Sequence, residues 1–190
     1  MSAQVLRTRL SVLEARTGLR KWLHKGQSGR VCVLGGGGDY TGAPYFSAGA
    51  ALNLGADMVH VFCDKIAGSV IKSFSPDLIV HPHLISAYSA NEDSTELDAF
   101  NWLKDSKIFE KINVLAVGPG LSRDTLIQKS LVHILKYARE LNLPIVVDAD
   151  GLGIFDLEPK ILFGYDLAIL TPNHNEFSQL CRKFNVPYDS

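Results

Sequence analysis

Six short apolar runs constrain this chain more than any other feature. They cover residues 31–34, 58–62, 78–81, 114–117, 145–148 and 168–170, and most are continuous, without polar alternation. Runs of that length and character read as strands buried on both faces, as in a parallel sheet with helices on each side. Helical stretches separate them. Pro44 suits the first turn of a helix reaching about Leu54, with Gly55 as its C-cap. Asp64 is placed to cap a helix that ends at Phe74, before Ser75-Pro76. Residues 86–94 are polar and read as a loop, and Thr95 opens the next helix. Asp124 or Thr125 starts a long one, in which Leu126, Ile127, Leu131, Ile134, Leu135 and Ala138 recur on one face. Asn173 caps a last helix over residues 176–184. This alternation predicts an α/β fold, a doubly wound and mostly parallel sheet with helices on both faces.

The bulk numbers agree with such a core. The chain has 190 residues, 46% of them hydrophobic, which is the size of one domain and excludes a disordered chain. Its net charge is −1, with no basic stripe, so nucleic acid is not an expected partner. The uncharged stretch at residues 45–56 is too short to span a membrane, and no membrane partner is expected. The three cysteines form no CxxC pair, which argues against a disulfide framework or a zinc site. Cys32 and Cys63 read as core thiols, and a reducing compartment follows. Residues 1–23 carry Arg7, Arg9, Arg16, Arg20 and Lys21 against Glu14 alone. They read as a basic helix or extension before the main unit at 24–190. The expected location is cytoplasmic, or mitochondrial if that segment is a transit peptide.

The strand ends carry the chemistry. After Leu34 comes "GGGGDYTGAP", after Val117 "GPGLSRD", after Val147 "DADGLG" and after Leu170 "TPNHNEF". In doubly wound sheets ligands bind beyond the carboxyl ends of the strands. Glycines there allow close backbone approach, and helix N-termini favour anions. The pattern therefore points to one phosphorylated ligand. Asp148 and Asp150, two apart on an extended chain, face the same way and suit Mg²⁺, although Asp148 equally suits a helix cap. Asn173, His174, Asn175 and Glu176 place two amides and a carboxylate on one first turn, where a carboxylate is also ordinary helix chemistry. "GGGGDYTG" contains no G-x-G-x-x-G in any frame, and no Walker A lysine is present, which sets aside Rossmann and P-loop readings.

Taken in order, "GRVCVLGGGGDYTGAPYFSAGAALNLGADMVHVF", "VGPGLSRD", "VVDADGLGIF" and "AILTPNHNEFSQL" resemble the ATP- or ADP-dependent NAD(P)H-hydrate dehydratases of the ribokinase-like superfamily. The resemblance runs from about His24 to Cys181. It implies a ribokinase-like sheet and repair of damaged nicotinamide cofactors. The hydrated forms NADHX and NADPHX would be phosphorylated by ATP or ADP with Mg²⁺, and phosphate would then leave. It implies substrate contacts at Tyr40, Gly42, Ala43 and Gly120, and along Asn173, His174, Asn175, Glu176, Phe177, Ser178 and Gln179. It also implies a metal role for Glu176, with Asp150 as a second candidate.

Three departures accompany the resemblance. The first loop reads "GGGGDYTG" where the family usually has a serine or other residues after two glycines. Ser122 stands where the family's second motif usually closes with glycine. The family's later Gly-Gly-x-Gly-Asp block, which brings the catalytic base and the ATP pocket, has no counterpart after Glu176. Residues 35–39 spell that pattern, but they follow the first strand and not a helix start, so Asp39 reads as a turn residue. The resemblance thus implies that no family catalytic residue lies within 1–190. It implies a chain truncated at its C-terminus, with little dehydratase activity alone and room for a homo-oligomer through exposed sheet. The alternatives are a vitamin-precursor kinase of the same superfamily, or a non-catalytic nucleotide-binding fragment.

Overall fold

The computed structural model of the chain describes Arg7 and residues 24–188. The basic segment expected over 1–23 lies, Arg7 apart, outside the described residues. In chain order the elements are β1 (Arg30–Leu34), α1 (Gly42–Asn53), β2 (Met58–Asp64), α2 (Gly68–Phe74), β3 (Leu78–Leu84), α3 (Leu97–Ser106), β4 (Val114–Val117), α4 (Thr125–Glu140), β5 (Ile145–Val147), a 3-10 turn (Ala149–Gly153), α5 (Ile154–Leu157), β6 (Ala168–Leu170) and α6 (His174–Phe184).

All six expected strands form one parallel sheet, in the order β3-β2-β1-β4-β5-β6. The winding reverses between β1 and β4. β2 and β3 extend past their apolar runs, because His83 and Leu84 still pair or align with the end of β2. Pro82 is tolerated there because β3 is an edge strand. α2 begins at Gly68 and not beside Asp64. Asp64 remains in β2, its N–H on the Gly36 carbonyl, and its buried carboxylate accepts the Ile66 N–H. The short helix α5 was not expected from the sequence.

Alternation along β1 feeds two cores. Val33 joins Val59, Val61, Ala48 and Ile71 under α1 and α2. Cys32 and Leu34 join a larger cluster with Leu115, Val147, Leu103 and the apolar face of α4. On that face Ile127, Leu131, Ile134, Leu135 and Ala138 are fully buried, and each Leu or Ile is worth about 1.5–3 kcal/mol. Cys32, Cys63 and Cys181 are buried and free; desolvation pushes the Cys32 and Cys63 thiols up to about 12, so they act as packing groups. β6 closes the other edge and is poorly covered, with Ile169 61% exposed. Among the described residues no helix is long and apolar enough to cross a membrane.

Candidate functional site

The two glycine loops meet where the winding reverses. Beyond β1, the Gly36 N–H donates to the carbonyls of Pro119 (3.2 Å) and Gly120 (3.1 Å), and the Gly37 N–H donates to Gly120 (2.6 Å). Gly35 and Gly118 extend the sheet ladder, donating to Phe62 and Leu34 respectively. Side chains are excluded along this seam. A methyl on Gly35 would strike the Pro119 carbonyl, and one on Gly118 the Asp148 carbonyl. Gly120, at φ +58°, is covered by Tyr40 and Ala43. Two of the expected substrate residues, Tyr40 and Ala43, thus crowd a third, Gly120, and Gly42 starts α1 beside them. Tyr40 N–H to Gly37 carbonyl closes a turn that holds Gly38 and Asp39, so Asp39 sits in an exposed turn and not at a helix start.

Ser122 adopts φ +78°, the conformation glycine takes without strain. Three neighbours hold it there. Its N–H donates to Asp150 Oδ2 (3.0 Å), its carbonyl accepts from Gln128 Nε2 (3.1 Å), and its hydroxyl accepts the Asp124 N–H (3.2 Å). The second oxygen of Asp150 faces Arg123 Nε at 3.6 Å. Asp148 takes the Thr171 hydroxyl at 2.8 Å. The two carboxylates therefore serve opposite neighbours, the β4 loop and the β6 loop. The expectation that they face the same way fails because Ala149 turns the chain, at φ +45°, into the 3-10 segment.

At α6 the expected cap is present as a reciprocal box. Asn173 Oδ1 accepts the Glu176 N–H (3.0 Å), and Glu176 Oε2 accepts the Asn173 N–H (2.8 Å). The helix starts at His174, earlier than expected. His174 and Asn175 are exposed in its first turn, Phe177 is half exposed, and Ser178 is buried with its hydroxyl on the His174 carbonyl. Glu176 and Gln179 line a shallow cleft of about 130 Å³ with Arg123 and Lys183. Lys183 pairs there with Asp156. Arg123 is the residue that sequence reasoning missed. It links the β4 loop, through Asp150, to the cleft of α6. A lone cation directly after a glycine loop was the available signal.

A metal finds little ready here. Among the described residues no group of three or more His, Cys, Asp or Glu side chains gathers. Asp150 has both oxygens engaged, and a cation reaching it would displace Arg123. Glu176 spends only Oε2 in the helix cap. That fits a Mg²⁺ held by one protein carboxylate together with substrate phosphates and water.

Residues 31–187 match the family model for NAD(P)H-hydrate dehydratase. The chain is 48% identical over 161 residues to the ATP-dependent (S)-NAD(P)H-hydrate dehydratase of Vitis vinifera, covering 84% of this chain and 46% of that one. It is 43% identical over 166 residues to the protein of the same name from Schizosaccharomyces pombe, covering 87% and 50%. The chain thus spans about half the length of the curated relatives it matches. Among solved structures, a ribokinase-like superfamily protein from Enterococcus faecalis superposes with a TM-score of 0.65 at 22% identity, over 87% of this chain and 52% of that one. A Bacillus subtilis ADP/ATP-dependent NAD(P)H-hydrate dehydratase, co-crystallised with ATP/Mg²⁺, gives 0.58 at 21% identity, over 86% and 51%. These two likenesses establish the ribokinase-like fold.

Proposed function

The chain belongs to the NAD(P)H-hydrate dehydratase family, and on that premise we propose that it supplies the substrate side of an ATP-dependent (S)-NAD(P)H-hydrate dehydratase. The substrates would be NADHX and NADPHX, and the product the restored NADH or NADPH. One observation carries this reading: Tyr40 and Ala43 close over Gly120 on the bare backbone seam at the point where the sheet reverses. That is where a doubly wound sheet receives its ligand.

Each proposed role has a support in the geometry. Gly36, Gly37 and Gly120 lock the two loops together backbone to backbone, and the substrate would lie along the outer rim of that seam. Tyr40, 59% exposed, offers an aromatic wall beside it. The first turn of α6, with His174 and Asn175, would offer the N–H groups of a helix start to substrate phosphates. Glu176 would hold Mg²⁺ through its uncapped oxygen, with Asp150 steadying Ser122 and Arg123 instead. Bound ATP with Mg²⁺ would supply a phosphoryl group, so that phosphate and not the poorer hydroxide is the hydrate's leaving group.

Calorimetric titration of the chain with NADPHX tests this. Binding is expected, weakened about tenfold in Tyr40→Ala, the scale of one lost aromatic contact. A cooperatively melting chain that takes up no NADPHX would overturn the proposal.

A further inference from the structure

The crevice has a second compartment, between the loops that follow β2 and β3 and the start of α4, whose outer walls the contacts proposed above leave unused. It is a cleft of about 300 Å³ floored by Gly37 and Gly38, with Ile66 and Tyr88 among its walls and Ser122 and Asp124 also lining it. Tyr88 is 91% exposed. An aromatic so exposed adds nothing to the core, yet the loop that carries it is tied down.

The ties run to both sides of Tyr88. The Ala87 N–H donates to Asp124 Oδ2 (3.1 Å), while Asp124 Oδ1 caps α4. The Ser89 hydroxyl lies 3.4 Å from Oδ2 of Asp64, the buried carboxylate at the end of β2. Within the loop, Ser86 N–H donates to Ser89 Oγ, and the Ser89 and Ala90 N–H groups return to the Ser86 carbonyl. Asp64 Oδ1 meanwhile accepts the Ile66 N–H at 2.9 Å. One buried carboxylate, Asp64, therefore anchors both facing walls of the cleft, and the half-buried Asp124 fixes the tyrosine's loop to α4. Surface loops are ordinarily the mobile parts of a fold. Holding an exposed aromatic at a fixed place lowers the ordering cost of a ligand that uses it.

The charge of the cleft selects the ligand. Its lining includes the carboxylates of Asp39 and Asp124, and no Lys or Arg among the described residues. Phosphate is disfavoured there by like charge. An uncharged flat ring suits it, with the glycine floor below, apolar Ile66 on one wall and an aromatic face on another. Asp39, exposed in its turn, can accept from an exocyclic amino group. We propose that Tyr88, Ile66 and the Gly37–Gly38 floor form a stacking slot for a planar, uncharged, amino-bearing nitrogen heterocycle. That ring is one end of the dinucleotide, either the adenine or the carboxamide-bearing dihydronicotinamide restored in the product, and Tyr88 sets specificity for it. The slot rests on the dinucleotide reading of the preceding section.

The test titrates NADH, adenosine and reduced nicotinamide riboside separately into the chain and into Tyr88→Ala and Tyr88→Phe. NADH should bind the wild type, about tenfold more weakly in Tyr88→Ala, the scale of one lost ring stack, and equally well in Tyr88→Phe. Whichever nucleoside shares the loss in Tyr88→Ala identifies the ring. Thermal melts should coincide for all three proteins, because Tyr88 has no packing role. If wild type binds NADH and Tyr88→Ala binds it as tightly, the slot is refuted and the dinucleotide reading stands. If wild type binds none of the three probes, the slot is refuted, and the NADPHX titration decides the dinucleotide reading separately.

Discussion

Gly118 leaves no room for a side chain. Its φ is +119°, and any Cβ would press into the Asp148 carbonyl and the Gly151 N–H. Gly49, inside α1, has open space where its Cβ would be. The two should respond with opposite signs. Gly118→Ala should destabilise the chain by about 3 kcal/mol or more, through strain and collision together. Gly49→Ala should stabilise it by about 0.5–1 kcal/mol, through helix propensity. Urea unfolding of both variants checks this. The sequence marked the loop glycines as special but held no sign of which was locked by a neighbour, since that depends on what β5 brings alongside. The same limit applied to Asp150. Its spacing from Asp148 was legible, but the positive φ of Ala149 that parts the two carboxylates was not.

Caps and strand ends were the legible part of the elements. Asp124 and Asn173 were readable as helix starts because a short acceptor preceded an apolar-periodic run, and both cap their helices. Asp64 had the same look and does something else. Its backbone is drawn into β2 by the Gly36 carbonyl, a partner far away in sequence. Asp124 also does more than a cap, since its second oxygen holds Ala87. Asp124→Ala should therefore cost more than the roughly 1 kcal/mol of an ordinary N-cap. The expected loss is about 2.5 kcal/mol or more, the cap together with one hydrogen bond to a charged group. Chemical denaturation reads the total. Faster hydrogen exchange in the segment around Ala87, at a concentration where α4 remains protected, separates the loop's share from the helix's.

The molecule as a whole should be sensitive to acid through its β2–β3 edge. His60 Nδ1 and His81 Nε2 lie 2.9 Å apart, and His83 stacks on Trp102 at 3.8 Å between ring centroids. Desolvation, then the cationic neighbours, hold all three imidazoles below their usual range. His81 is brought down to about 4, facing His60, His83 and Lys72, while Arg30 and Lys111 act on His60. A histidine kept neutral by the fold contributes its full stability above its unfolded pKa of about 6.5 and loses it as pH falls toward the folded value. Urea midpoints should therefore drop between pH 7 and pH 5, and His81→Gln should flatten that drop. A slope unchanged in His81→Gln would remove His81 from the account. The sheet's strand content was readable from apolar runs alone, because both faces are covered. The strand order was not, since parallel neighbours are chosen by crossover packing and not by adjacent sequence.

The seam between the two glycine loops has a consequence for inheritance. Gly35, Gly36 and Gly37 belong to one stretch of chain and Pro119 and Gly120 to another, yet direct backbone hydrogen bonds tie the two, and a methyl on Gly35 would strike the Pro119 carbonyl. A substitution in either stretch is judged by the partner some eighty positions away. The two should drift as one unit through descent, changing together or staying fixed together, while the helices on either side vary around them.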